Sequence, residues 1–269
     1  MKLSYKVIYD ALLIIALIIT SGCTYTGKVI DYQELSALIQ DENAMQTTAL
    51  IDVRTSAEWK AGYIEHAINI EYALLVDSSG RLINNGEALI SIVTDKATRL
   101  IIYGSGNDNA WRFAAKASQL GYADISLYTG GIQDWKSNGD YLVMAYDGFR
   151  AWYDAECPFD GGENYLVDVN LHDAMYINYG HIPGAINITS PYFSNEEEGE
   201  KALKDTISNK DAQVVFYCLG PSCPSSRISS EFAVSLGYTN VFKYLGGMQE
   251  WKSEGNELIK GEDPGPCAP

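Results

Sequence analysis

The sequence contains few residues of the types that bind metals or staple small folds together. It has three histidines and five cysteines among 269 residues, and no Cys-x-x-Cys pair. The histidines, His66, His172 and His181, lack the close spacing of a metal pair. Structural zinc sites need closely spaced Cys and His ligands, so the sequence predicts no metal. Five scattered cysteines also do not form the dense framework of a disulfide-stabilised domain.

Positive charge and long apolar segments are also scarce. The chain carries 19 Lys and Arg against 35 Asp and Glu, a formal net charge of −16. This balance argues against nucleic acid as a partner and against electrostatic attraction to anionic lipid. A bilayer-spanning helix needs about 20 apolar residues, and the N-terminal apolar run over residues 11–20 is too short for that.

Residues 1–23 are typical of a segment that directs export. Lys2 and Lys6 precede the apolar run, and a Ser-Gly-Cys tripeptide ends at Cys23. This order resembles a bacterial lipoprotein signal, in which the cysteine is lipidated and becomes the new N-terminus. The alternative is an uncleaved anchor with a buried cysteine. Both predict an exported chain held at a membrane and facing the periplasm or the cell exterior, where disulfides form.

A repeat organises the rest of the chain. GYADISLYTGGIQDWKSNG at residues 121–139 matches GYTNVFKYLGGMQEWKSEG at residues 237–255. The same offset of 116 residues pairs Asp52 with Asp168. An offset of this size is a domain length, so the repeat indicates a duplicated domain.

The repeat predicts the domain boundaries. After the signal segment of residues 1–23, one domain covers residues 27–142 and a second covers residues 143–261. Residues 262–269 form a tail rich in proline and glycine, for which we predict irregular structure. A disulfide between Cys157 and Cys267 is a further prediction, because unpaired cysteines of exported proteins commonly pair.

Each copy alternates helices with short strands that are apolar at almost every position. Such strands lie at residues 49–53 and 100–103 in the first copy, and at 165–169 and 214–217 in the second. The pattern predicts an α/β fold, with a mostly parallel sheet covered by helices on both faces in each domain. In such sheets the ligand site lies beyond the carboxyl ends of the strands.

Cys218 follows one of these strands directly. A turn-forming run separates it from a helix predicted over residues 227–236, with Ser225 or Ser226 as the N-terminal cap. A thiol between a strand end and a helix start is expected to lie among backbone N–H groups, which lower its pKa from about 8.5. The sequence therefore predicts a nucleophilic thiol at residue 218.

Four motifs in this order resemble the rhodanese family. They are the Asp-Val pair at 168–169, GHIPGAINI at 180–188, Tyr-Cys at 217–218 and YLGGMQEWKSEG at 244–255. The family consists of α/β sulfurtransferases in which a loop cysteine carries a persulfide. The resemblance implies an enzyme of the thiosulfate sulfurtransferase type, without metal or organic cofactor, that uses a small sulfur donor and a thiol acceptor. In two-domain members the first copy typically lacks the cysteine, and here Gly104 aligns with Cys218.

The predicted catalytic residues are Cys218 and Cys223. The loop around them is predicted to hold the persulfide through backbone N–H groups, serine hydroxyls and an inward-turned arginine, with Leu219, Gly220, Ser222, Ser225, Ser226 and Arg227 as its members. Cys223 has three interpretations: it attacks the Cys218 persulfide and leaves a disulfide, it protects Cys218 from over-oxidation, or it is a bystander.

Two other functions remain open at this stage. One is a thiol–disulfide redox relay that uses Cys218 and Cys223 without sulfur transfer. The other is a non-catalytic binding module, in which the acidic surface and the cysteine-free first copy serve a protein partner. Under any of these functions, the first copy is either a packing partner for the second domain or an anion- or partner-binding pocket. The remaining motif residues are predicted to be structural: Asp52 and Asp168 brace loops, His181 stabilises a turn, and Trp135 and Trp251 anchor the core.

Overall fold

The structure is a computed structural model that describes residues 27–106, 109–156, 163–190 and 195–262. Cys23, Cys157 and Cys267 lie outside these ranges, so the predicted lipidation and disulfide stay predictions. Over the described ranges, no helix combines the length and the apolar character needed to cross a membrane.

The first domain contains a five-stranded sheet in which every strand pair is parallel. The strand order is β1-β5-β4-β2-β3. The strands are β1 (Lys28–Ile30), β2 (Thr48–Asp52), β3 (Ile68–Asn69), β4 (Arg99–Tyr103) and β5 (Ile125–Tyr128). Almost all residues of β2, β4 and β5 are buried, as expected for strands covered on both faces.

In the described part of this domain, the strands are accompanied by a 3-10 turn at Ile83–Gly86 and by seven short α-helices. They are α1 (Tyr32–Gln40), α2 (Glu42–Met45), α3 (Ser56–Ala61), α4 (Tyr72–Leu75), α5 (Glu87–Ile90), α6 (Asn109–Gln119) and α7 (Gly131–Ser137). Helix α1 begins where it does because Asp31 accepts a hydrogen bond from the Glu34 backbone N–H, and the Glu34 side chain bonds back to Asp31.

The second domain repeats the same sheet. Its order is β6-β10-β9-β7-β8, and all pairs are again parallel. The strands are β6 (Leu142–Met144), β7 (Asn164–Asp168), β8 (Ala185–Asn187), β9 (Gln213–Tyr217) and β10 (Asn240–Tyr244). The predicted α/β fold and its duplication are therefore confirmed. The edge strands β1 and β6 were not predicted, because three residues are too few for a recognisable pattern.

Four helices and a π-helical turn at His172–Ile177 complete the second domain. The helices are α8 (Tyr146–Glu156), α9 (Glu196–Thr206), α10 (Ser225–Ser235) and α11 (Gly247–Ser253). Helix α8 occupies the segment between the copies, and its Phe149 ring stacks on Tyr244 with centroids 4.0 Å apart. This stacking packs α8 against β10.

The two domains share one buried apolar cluster. At their junction, the backbones of Tyr63 and Val143 exchange two hydrogen bonds of 3.0 and 2.8 Å. Glu65 of the first domain has a largely buried side chain that binds both Lys243 of β10 and the hydroxyl of Tyr141. The domains are therefore joined by a packed and hydrogen-bonded interface.

The tryptophans and the histidine that were predicted to be structural are buried, as expected. Trp135 and Trp251 are at most 3 % exposed, and each indole N–H donates to a backbone carbonyl. His181 is fully buried and stacks on Tyr176, and its Nδ1 lies 3.0 Å from the Tyr176 carbonyl oxygen. These contacts agree with core and turn-stabilising roles.

Candidate active site

Cys218 lies at the carboxyl edge of the second sheet, directly after β9. Strand β9 pairs with β10 on one side and β7 on the other, so the residue lies between neighbouring strand ends. Cys218 is 1 % exposed and belongs to the buried cluster. The position matches the expectation for a ligand site of a parallel sheet, and the side chain is more enclosed than a surface nucleophile.

The loop after Cys218 is a short turn that leads into α10. The Cys223 backbone N–H donates to the Gly220 carbonyl at 3.0 Å, and Pro221 occupies the second turn position, which suits its fixed φ. Helix α10 begins at Ser225, and Pro224 is its N-terminal cap residue. The predicted serine cap is therefore wrong: both serines lie in the first helical turn, and no side chain caps the helix.

The N-terminus of α11 holds the loop from the other side. The backbone N–H groups of Met248 and Gln249 donate to the carbonyls of Cys218 and Leu219 at 3.1 and 2.9 Å. Gly247 has φ +56°, and a Cβ atom there would lie 2.2 Å from the Cys218 carbonyl oxygen. The second glycine of the repeated Gly-Gly motif is therefore required by the close approach of the loop.

The first domain contains the same contact without a thiol. Gly131 has φ +60°, its Cβ would lie 2.2 Å from the Gly104 carbonyl oxygen, and Ile132 N–H donates to that oxygen at 3.0 Å. Gly220 differs from both motif glycines, because its φ is not left-handed. A Cβ on Gly220 would instead lie 2.3 Å from the Gln249 side-chain oxygen. Its small size, not a special backbone angle, fits it to the loop.

The Cys218 sulfur faces mainly hydrogen-bond acceptors. It lies 3.3 Å from the Cys223 carbonyl oxygen, 3.7 Å from the Gly220 carbonyl oxygen and 3.3 Å from Ser226 Oγ. Burial, and then the interaction with the Cys223 thiol, raises the pKa of Cys218 to about 11, although Ser226 opposes the shift. The predicted lowering of the Cys218 pKa is therefore wrong, because carbonyl oxygens and desolvation favour the protonated thiol.

Cys223 has the opposite surroundings. Its half-buried sulfur interacts with the Cys218 thiol, with the backbone N–H and hydroxyl of Ser225, and with the backbone N–H of Leu219. Burial alone raises the pKa of Cys223, but these hydrogen bonds outweigh it and the net pKa is lowered. Most of the donors predicted around Cys218 therefore contact Cys223 instead, while Ser226 contacts Cys218.

The structure brings most of the predicted loop residues to the two sulfurs, but not all. Ser222 is exposed at the turn, and it is not among the residues that contact the Cys218 sulfur. Arg227 does not turn inward to that sulfur. Its guanidinium is partly exposed and binds Glu231 at 2.9 Å along the helix. The hydrogen bonds that stabilise a sulfur anion here therefore come from the loop backbone, Ser225 and Ser226.

A buried carboxyl lies on the neighbouring strand end. Asp168 pairs in register with Tyr217, and its Oδ1 accepts hydrogen bonds of 2.8 and 2.7 Å from the backbone and amide of Asn170. Burial raises its pKa to about 6, against hydrogen bonds from Asn170 and Tyr217. In the first domain Asp52 instead forms a buried ion pair with Arg54 at 2.6 Å. Both aspartates brace the turn after their strand, as predicted.

The corresponding edge of the first sheet contains a cavity of about 210 Å³. Its polar lining is formed by Arg54, Thr55, Glu58, Glu71, Ser105 and Asn109. Arg54 is already bound to Asp52, so the other charged groups of the lining are the carboxylates of Glu58 and Glu71. This charge does not favour the anion pocket considered for this copy, and Gly104 provides no nucleophile.

Comparison with known proteins agrees with this arrangement. The sequence matches the family described as rhodanese-like domain twice, at residues 31–138 and 151–254. It is 28 % identical over 250 residues to a Saccharopolyspora erythraea protein named "Putative thiosulfate sulfurtransferase", covering 76 % of this chain and 86 % of that protein. A Mycolicibacterium smegmatis protein of the same name is 25 % identical over 247 residues, covering 76 % and 87 %.

A shorter relative matches one domain. The thiosulfate:glutathione sulfurtransferase of Saccharomyces cerevisiae is 33 % identical over 91 residues, which cover 34 % of this chain and 66 % of that protein. The two family matches together cover most of the chain, and each contains four of the five strands of one parallel sheet. The resemblance seen in the motifs is confirmed: the chain belongs to the rhodanese-like family of sulfurtransferase enzymes, with two rhodanese-like domains in tandem.

Proposed function

We propose that this enzyme carries sulfane sulfur as a persulfide on Cys218. The sulfur comes from a donor such as thiosulfate or a polysulfide and passes to a thiol or another nucleophile. The observation that carries the proposal is the position of Cys218 at the carboxyl edge of the second sheet, where the first sheet has Gly104.

The enclosure of Cys218 suits a persulfide carrier. A persulfide is reactive toward water-borne oxidants, and a residue that is 1 % exposed is shielded from bulk solvent. The hydroxyl and backbone N–H of Ser226 contact the sulfur and are available to a negatively charged outer sulfur. The names of the relatives support thiosulfate as donor and glutathione as one acceptor.

Intact-protein mass spectrometry tests the proposal. The reduced full-length chain in detergent is incubated with thiosulfate, beside a Cys218→Ser/Cys223→Ser double variant that controls for sulfur uptake at the other cysteines. We expect the parent to gain one sulfur atom that the double variant does not gain, and to lose it on addition of glutathione. A parent that gains no sulfur from thiosulfate or polysulfide contradicts the proposal.

The contact between the two thiols favours one competing function. Both cysteines are free and interact through their side chains, so an oxidant can join them in a disulfide. In a pure redox relay the parent loses two hydrogens on oxidation and never gains sulfur. The same mass measurement therefore separates the relay from the sulfurtransferase.

A further inference from the structure

We infer that Cys223 is the thiol that takes sulfur from the donor, and that Cys218 receives it from Cys223. The inference rests on the proposed persulfide chemistry and assigns the first step to a different residue. It follows from three features of the loop: the unequal exposure of the two sulfurs, their different hydrogen-bond partners, and the contact between them.

The two thiols differ first in their exposure to solvent. Cys218 is enclosed in the buried cluster at 1 % exposure, whereas Cys223 lies on the turn and is only half-buried. A cysteine can attack the sulfane sulfur of a donor only if the donor can approach the cysteine sulfur directly. A hydrated anion such as thiosulfate is bulky and costly to desolvate. In this loop conformation the donor therefore meets Cys223 before it meets Cys218.

The two thiols also differ in their hydrogen-bond partners. A thiolate on Cys218 would face the carbonyl oxygens of Gly220 and Cys223, which repel negative charge, and the hydrogen bonds from Ser226 offset only part of that repulsion and of the burial. A thiolate on Cys223 instead receives hydrogen bonds from Leu219, Ser225 and the Cys218 thiol itself. Because burial and the Cys223 thiol raise the pKa of Cys218 whereas the pKa of Cys223 is lowered, the Cys218 thiolate is the scarcer of the two at pH 7. The higher intrinsic nucleophilicity of such a thiolate offsets only part of that difference.

The chemistry balances without an oxidant or a metal. The Cys223 thiolate attacks the sulfane sulfur of thiosulfate, the sulfur–sulfur bond of thiosulfate breaks, and sulfite leaves with the bonding electron pair. The Cys218 thiol then gives its proton to the outer sulfur of the Cys223 persulfide. The resulting Cys218 thiolate attacks that outer sulfur, and Cys223 leaves as a thiolate. The net result is a protonated persulfide on Cys218 and a Cys223 thiolate ready for the next donor.

The loop geometry makes the internal step short. The Cys218 sulfur already lies 3.3 Å from the Cys223 carbonyl oxygen, and the two side chains interact directly. The β-turn closed by the Gly220–Cys223 hydrogen bond holds the residues at this separation. Sulfur therefore moves from an accessible position to a sheltered one by a local transfer within a single turn.

Rapid mixing with thiosulfate, an alkylating quench and peptide mass mapping test the assignment on the full-length chain. Cys218→Ser keeps a hydroxyl that can donate to the Cys223 sulfur, so this variant should gain sulfur on Cys223. Cys223→Ser should load Cys218 on the order of tenfold more slowly than the parent, because the accessible thiolate is lost. Alkylation of Cys223 in the unmutated parent should slow loading likewise, which guards against variants that fold poorly.

The outcomes distinguish this inference from the proposed function. If the parent gains sulfur while Cys218→Ser gains none, or if Cys223→Ser loads as fast as the parent, the inference is overturned and the carrier role of Cys218 stands. If Cys218→Ser gains sulfur and passes it to glutathione at the parental rate, Cys223 is itself the carrier and the proposed function is overturned. Loading of Cys218→Ser together with failure to deliver sulfur supports both.

Discussion

The contact between Gly247 and the thiol loop leads to a prediction with a control built into the fold. Gly247→Ala places a Cβ atom 2.2 Å from the Cys218 carbonyl oxygen and 3.0 Å from the Gly220 nitrogen. Both neighbours are backbone atoms, so no side chain can rotate away to relieve the overlap. The residue also has φ +56°, which alanine adopts at a cost.

The expected loss of stability follows from these two features. The left-handed backbone costs a residue with a Cβ about 1–2 kcal/mol. Moving the Cys218 carbonyl away from the new methyl group also breaks its hydrogen bond with Met248 N–H, worth about 1 kcal/mol. We therefore expect Gly247→Ala to lower the free energy of unfolding by about 2–3 kcal/mol.

Gly131→Ala is the matched control. It introduces the same overlap with the Gly104 carbonyl oxygen at φ +60°, but in the domain without a thiol. Urea denaturation should show a similar loss of stability in both variants. Timed alkylation with mass mapping should show faster modification of Cys218 in Gly247→Ala only, because only that substitution displaces the loop that encloses it. Parental alkylation in Gly247→Ala, or an unchanged unfolding midpoint, refutes this account of the Gly-Gly motif.

Three further predictions test other parts of the molecule. The folded-state pKa of Asp168, raised from 3.8 to about 6, means that its contribution to stability is present at low pH and is lost as the pH rises through about 6. Asp168→Asn should therefore be more stable than the parent above pH 6 by up to about 3 kcal/mol, and urea titrations should show this gain shrinking toward pH 4. Lys243→Met leaves Glu65 buried without its cation and should cost about 3–5 kcal/mol, most of which a second Glu65→Leu substitution should restore in thermal unfolding. We also propose that Cys23 is lipidated: the chain from its host cell should partition into detergent on phase separation, and Cys23→Ala should partition into water.

The sequence was sufficient to predict the fold because the signals were repeated. Each apolar strand appears twice at a nearly constant offset, so a weak pattern in one copy is supported by the other. The α/β class and the central strands were predicted on this basis. The edge strands β1 and β6 were missed, since Lys28–Ile30 and Leu142–Met144 are each three residues long and carry no periodicity. The apolar run that precedes α8 was the one signal that could have revealed β6.

The sequence predicted the position of the candidate site but not the direction in which the pKa of its thiol is shifted. Placing Cys218 at a strand end needs only the local pattern. The pKa of its thiol depends on which backbone atoms of the turn face the sulfur, and a hydrogen bond across Gly220 and Cys223 turns two carbonyls toward it. Sequence proximity cannot reveal that choice. For the same reason Ser225 and Ser226 could not be assigned to different sulfurs in advance.

A comparison of the two domains separates the backbone contacts that belong to the shared fold from the side chains that are present only in the second domain. In both domains the last helix donates a backbone N–H to the residue after the central strand, at 3.0 Å for Gly104 and 3.1 Å for Cys218. The same left-handed glycine makes this approach possible in each. The contact therefore exists without a thiol and belongs to the duplicated fold.

The sulfur chemistry, in contrast, lies almost entirely in one turn and the first helical turn after it. The second copy adds two thiols, a proline-stabilised turn and the serines of α10 to a frame that the first copy shares. Those additions leave the Cys218 sulfur enclosed, with a raised pKa, and the Cys223 sulfur only half-buried, with a lowered pKa. A single exposed cysteine on the same frame could accept sulfur but could not shelter it. The pairing of an open thiol with a closed one is therefore the feature of this loop that a one-cysteine loop cannot reproduce.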